Sequence, residues 1–257
     1  MLYLVSKDKL KDPRILAMVK ASGDDVNFNL VCNEVRIDSW HSVNKREPGN
    51  PWKHMTELYG KHEGKTFLVT GSGPTVKQLK TRILPKDWVV MSANRSVMVP
   101  DRVDYWCASD PSALEQVNPN PKVNRVLSIQ LYSWMKGKPF YAVEMNGQPL
   151  RWRKPETRPL YWNETTLGWM LHLAIRMGAA RIITIGTELS YEGQYDGYVQ
   201  RQCSKDWQIA QHGGVRDRML EMFRPEEKLQ WLERPVEMLD ASHGALPIPK
   251  VRLEDVL

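Results

Sequence analysis

Short runs of apolar, often β-branched residues recur along this chain, and most of them stop at a glycine or a polar residue. Phe67 to Val69, Asp87 to Ala93, Val103 to Ala108, Arg125 to Leu131 and Arg181 to Ile185 are nearly continuous in apolar character, which predicts a parallel sheet buried on both faces. Asn163 to Gly178 predicts a buried helix: Thr165 or Thr166 can cap it, its apolar positions run almost all the way round, and Gly178 ends it. It feeds Arg181 to Ile185 as a right-handed βαβ crossover would. Val215 to Phe223 predicts a further helix, and Arg234 to Ala241 a last short strand.

The beginning reads differently. Leu2 to Val5 and Asn27 to Cys32 suit strands and Pro13 to Lys20 a short helix, a small βαβ preface. From Asp38 to Gly64 the chain turns polar and punctuated, which places a boundary within Asn44 to Pro51. The expectation is an α/β fold: a Rossmann-like three-layer domain over residues 61–257 around a mostly parallel central sheet, with a small N-terminal extension over residues 1–60. Ligands of open α/β sheets sit at the C-terminal ends of the strands.

The chemistry gathers at such an end. After Phe67 to Val69 comes Gly71-Ser72-Gly73-Pro74-Thr75, two glycines that permit a tight turn and a proline preset for the first turn of a helix. Free amides at a helix start attract a phosphate; an ordinary strand-to-helix turn is the other reading. Asn94 and Asp110 end the next two strands and would line one crevice with Ser72, although both residue types are also common caps. Gly186 and Glu188 follow the strand Arg181 to Ile185 in the same manner.

Composition sharpens this only in part. The 257 residues carry a formal charge of +6, which favours an anionic partner, yet no long basic run is present. Three cysteines without metal-ligand spacing argue against a disulfide framework or a zinc site and for a reducing compartment. No apolar run is long enough to span a membrane, so the expectation is a soluble, cytoplasmic protein, and with no Asp-x-Asp pair no metal is expected. His41, His54 and His62 read as solvated, and His172 as a hydrogen-bonded core histidine.

Residues 136–162, rich in proline, tryptophan and basic residues, read as a lid-like segment. In it Arg151, Trp152 and Arg153 offer stacking and phosphate contacts to an acceptor, or simply pack on the domain. Tyr191 and Tyr195 lie in a glycine-loosened stretch that can bring phenols to a phosphate leaving group, and His212, just before Gly213-Gly214, has the near-neutral pKa of a general base or is an idle loop histidine.

The segments FLVTGSGPTVKQL, WVVMSANRSV, WCASDPSAL, TTLGWMLHLAIRMGAARIITIGTELSYEG and QHGGVRDRMLEM, in this order and spacing, resemble bacterial sialyltransferases of glycosyltransferase family 42. They also resemble the wider group that includes archaeal 6-hydroxymethyl-7,8-dihydropterin pyrophosphokinase-like proteins. The resemblance covers about Lys65 to Ser242. It implies a glycine turn at Gly71, Ser72, Gly73 and Pro74, with Ser72 where the sialyltransferases place a nucleotide-binding Asn. It implies nucleotide contacts from Asn94 and, changed from amide to acid, Asp110, with Thr166 at the hydroxyl-bearing start of the buried helix. Tyr191 and Tyr195 fall near the family's phosphate-contacting tyrosines, His212 looks like its general base, and Asp217 is similar to the Asp of the following helix. Glu164 replaces a basic residue.

The resemblance implies a metal-independent glycosyltransferase with a nucleotide-sugar co-substrate and no cofactor, in which His212 deprotonates the hydroxyl of a glycan or other acceptor. Three alternatives stay open: an ATP-dependent pterin-type pyrophosphokinase holding magnesium on Asp110 and Glu188, a glycosyltransferase with DNA as acceptor, and a non-catalytic protein that binds nucleotides or nucleic acid.

Overall fold

The computed structural model describes residues 52–109, 113, 114, 117, 122–128, 131, 139–145, 158–161, 163, 165–189, 214 and 216–257, together with the backbone pairing of three N-terminal strands. Those strands, β1 (Leu2–Ser6), β2 (Asn27–Val31) and β3 (Glu34–Asp38), form an antiparallel sheet in the order β1-β3-β2. The strand unforeseen in the sequence, β3, lies between the other two, so β1 and β2 are not the adjacent parallel pair of a βαβ unit. The helix expected at Pro13 to Lys20 lies outside the described residues.

The main domain is an α/β fold built on a sheet of eight parallel strands in the order β11-β10-β5-β6-β7-β8-β9-β4. The strands are β4 (Trp52–His54), β5 (Thr66–Thr70), β6 (Val89–Ala93), β7 (Tyr105–Ala108), β8 (Asn124–Ser128), β9 (Phe140–Val143), β10 (Arg181–Ile185) and β11 (Glu237–Asp240). Apolar side chains alternate between the faces. Phe67, Val69, Met91, Cys107 and Ile182 enter one core, and Leu68, Val90, Ile183 and Ile185 the opposite one. Burial on both sides is the reason these strands read as continuous apolar runs.

Helix α1 (Thr166–Arg176) lies across β5, β6 and β7 and is itself covered by Tyr161, Met219, Met222 and Trp231, which explains its nearly all-round apolar sequence. Gly178 ends it in a left-handed conformation, φ +110°, packed against the backbone of Glu63. The other face of the sheet is covered by a 3-10 helix over Pro74–Thr81 and by Leu84, Trp88, Val99 and Leu253. A short α-helix, α2 (Pro225–Trp231), stands where the sequence predicts none.

Four expectations need correction. The main domain begins before residue 61, because β4 pairs with β9 and completes the sheet. His54 is 5 % exposed rather than solvated, and His62 is half-buried with Nε2 2.7 Å from the Tyr105 hydroxyl. The segment 136–162 is not wholly a lid, since Phe140–Val143 is an interior strand of the sheet. The fourth strand stops at Ser128. Among the described residues no helix is long and apolar enough to cross a membrane.

His172 on α1 is a core histidine, 1 % exposed. Its Nδ1 accepts the Tyr161 N–H at 2.8 Å, so the ring proton is on Nε2, 3.2 Å from Glu233 Oε1. Burial, aided by the Arg176 charge and opposed by Glu233, lowers its pKa to about 4. An unfolded histidine titrates near pH 6.5, so between these values the unfolded state binds more protons and stability falls as pH falls. His172→Asn, which keeps an acceptor for the Tyr161 amide, should flatten this acid limb by up to about 1.4 kcal/mol per pH unit. Urea unfolding from about pH 7 down to about pH 4.5 measures it; an unchanged slope would show that His172 is not the group responsible.

Candidate active site

The strand order reverses at β5. Strands β6 to β9 extend the sheet on one side of it, while β10 and β11 add to the other. Such a switch point opens a crevice beyond the C-terminal ends of the two central strands, here Gly71 to Thr75 after β5 and Gly186 to Glu188 after β10.

The two ends approach more closely than paired strands can if they bear side chains. Gly71 N–H donates to Ile185 O and Gly73 N–H to Gly186 O, each at 2.8 Å. A Cβ on Gly71 would overlap the Gly186 carbonyl, and one on Gly186 would meet the Gly71 carbonyl. Gly186 also has φ +71°, and its N–H donates to Thr75 Oγ1 at 3.0 Å. The carboxylate of Glu188 then turns back onto the first turn of the 3-10 helix: Oε1 accepts the Thr75 N–H at 2.5 Å, and Oε2 is buried with no hydrogen-bond partner. A Cβ on Gly73 would collide with that carboxylate.

This geometry answers what the glycine turn does. Its amides at Gly71, Gly73 and Thr75 all donate to acceptors of the chain itself, and Pro74 has none. The place at the helix start that would suit a phosphate holds a carboxylate of the protein. Behind Glu188 a buried network fixes the β10 end: Thr187 N–H donates to Ser242 Oγ, and Asp240 accepts from Thr184, Ser242 N–H, Thr187 and Lys250. Asp240 is 0 % exposed; burial alone would raise its pKa, but the Lys250 and Ser242 hydrogen bonds bring it below the usual aspartate value.

The other side of the crevice is formed by the ends of β6 and β7. Asn94 adopts a left-handed conformation, φ +49°, with its backbone carbonyl held by Trp106 Nε1 at 2.8 Å. Its Oδ1 is buried without a partner. Beneath it Thr70, Ser92 and Ser96 form a buried hydroxyl cluster at 2.8 to 2.9 Å. After β7, Ser109 Oγ lies 2.7 Å from Thr166 Oγ1, so the first turn of α1 meets the sheet here. Thr165 caps the helix by accepting the Gly168 N–H. Any anion near this end meets the positive end of an 11-residue helix.

The structure thus brings Gly71, Ser72, Gly73, Pro74, Thr75, Gly186 and Glu188 to one side of the crevice and Asn94 and Thr166 to the other. Asp110, Arg151, Trp152, Arg153, Tyr191, Tyr195 and His212 lie outside the described residues, as does Glu164. Among the described residues no group of His, Cys, Asp and Glu could hold a metal ion. Two features were missed in the sequence. Ser109 immediately follows β7, a position that marks it beside Asp110. His54 and Glu144 form a buried pair at the ends of β4 and β9, Nε2 to Oε1 3.4 Å, and neither carboxylate oxygen has a hydrogen-bond partner. The signal for it was weak, because β4 has three residues. No family model, curated protein or solved structure matches this chain.

The contact of Gly73 with Glu188 can be measured as a coupling. Gly73→Ala should destabilise the protein by about 1–3 kcal/mol, the range for overpacking in a filled site. In a Glu188→Ala background the added methyl group meets only the Gly186 carbonyl, and the cost should shrink by at least about 1 kcal/mol. Chemical unfolding of the four proteins of this cycle gives the coupling; purely additive effects would mean the two groups do not share the space described.

Proposed function

We propose that this protein is a nucleotide-sugar-dependent transferase that binds its nucleotide across the C-terminal ends of β6 and β7. The observation that carries the reading is Asn94: a polar side chain at a strand end, on a left-handed backbone, with a buried acceptor atom left unpaired. An unpaired buried acceptor costs about 1–3 kcal/mol, and a ligand donor such as a ribose hydroxyl or a base amino group would recover that cost. The resemblance to glycosyltransferase family 42 also implies a nucleotide contact at this residue. Ser109 and Thr166 add hydroxyls beside it, and the helix start offers a favourable potential to the donor's phosphate.

In this reading His212 takes the proton from an acceptor hydroxyl, its oxygen bonds to the anomeric carbon, and the nucleotide leaves with the bonding electrons while Tyr191 and Tyr195 donate to its phosphate. The acceptor, a glycan or another hydroxyl compound, meets Arg151, Trp152 and Arg153. These assignments rest on the resemblance and on the residue chemistry.

A thermal-shift series with CMP, UDP, GDP and ATP, each with and without magnesium, tests the binding half. Stabilisation by one of the first three without metal is expected, and Asn94→Ala should weaken it about tenfold. His212→Ala should keep the binding and lose about 10²- to 10⁴-fold in turnover. Stabilisation by ATP only with magnesium would replace sugar transfer with diphosphate transfer, and no stabilisation by any nucleotide would remove the reading.

A further inference from the structure

We infer that Glu188 is a specificity determinant that closes the glycine turn to phosphate, so that a nucleotide entering the crevice must place its phosphate away from this turn. The inference borrows from the proposed function only the identity of the ligand; the closure itself concerns residues of the turn.

Three observations carry it. Three of the four amides of the turn, those of Gly71, Gly73 and Thr75, are committed to Ile185 O, Gly186 O and Glu188 Oε1. The space in front of Gly73 is filled by the Glu188 carboxylate so fully that a Cβ could not be added. The backbone that carries the carboxylate is itself held in place: the Glu188 carbonyl accepts the Ala245 N–H at 3.1 Å, Gly244 packs against the Glu188 backbone, and Thr187 before it is fixed by Ser242 and Asp240. A phosphate at the turn would therefore have to break the Thr75 hydrogen bond and lie against a negative charge at short range, where repulsion is strong. The part of the ligand that faces the turn is neutral: the base or the sugar of the nucleoside. The phosphate is left to the β6–β7 side, where Ser109 and Thr166 bring hydroxyls to the start of α1.

The full-length protein tests this with two variants and small anions. Glu188→Ala vacates the carboxylate site and frees the Thr75 amide. It should acquire a saturable thermal stabilisation by formate and by inorganic phosphate that wild type lacks at matched ionic strength. Glu188→Gln keeps an oxygen for the Thr75 amide and removes only the charge. With the space still filled and the amide still bonded, it should stay as indifferent to both anions as wild type. If the alanine variant does not fold, Glu188→Ser, which vacates the same space, takes its place. Indifference of the alanine or serine variant to both anions, or the same stabilisation of Glu188→Gln by them, overturns the inference. Neither arm uses a nucleotide, so success here with no nucleotide bound by wild type would refute the proposed function and leave the closure standing.

Discussion

The meeting of β5 and β10 at Gly71 and Gly186 is the constraint on which the centre of this molecule depends. Two parallel strands remain hydrogen-bonded to their last residues and then come together backbone against backbone, which is possible only where neither bears a Cβ. Everything at the crevice inherits its position from this contact. Thr75 is placed by its bond to the Gly186 amide, Glu188 is aimed at the helix start by the turn that Gly186 begins, and Gly73 is left bare to receive the carboxylate. The glycines serve intramolecular packing first.

The polar groups at the C-terminal edge divide into two sets. Thr70, Ser92 and Ser96 satisfy one another, and Asp240 is met by donors from Thr184, Thr187, Ser242 and Lys250. Buried polar groups satisfied this way contribute modestly to stability and much to a single well-defined arrangement. Asn94 Oδ1 and Glu188 Oε2 stand apart because they are buried with no hydrogen-bond partner. The same fold thus shows where its polar groups serve architecture and where they carry a cost that architecture does not require.

Much of the fold was legible because two-sided burial writes itself into a strand as an unbroken apolar run. Phe67 to Val69, Val89 to Ala93 and Arg181 to Ile185 needed no tertiary information. Trp52–His54 carried no such run; it is a strand because β9 offers it an edge and Glu144 meets His54. Phe140–Val143 was hidden among prolines, tryptophans and arginines, although its own four residues fit a strand. Helix α2 has a readable start, Pro225 followed by Glu226 and Glu227, but its charged sequence shows little apolar periodicity. At the site, the turn was visible in Gly71 to Pro74, but the direction of its amides was not. A glycine turn before a helix suits a bound phosphate and a tight internal contact equally, and the choice was made by Glu188, far along the chain.

The position of β10 has a consequence for how the protein is made. Strands β5 to β9 can pair in the order in which they leave the ribosome, each beside its predecessor. The other edge of β5 waits for β10, so a strand destined for the middle of the sheet is an open edge until Ile185 has been added. Pairings this distant in sequence form slowly, and an uncovered apolar edge is a template for association with other chains. Nascent chains stopped before β10 should therefore need protection from self-association, whereas the finished protein encloses that same edge at its centre.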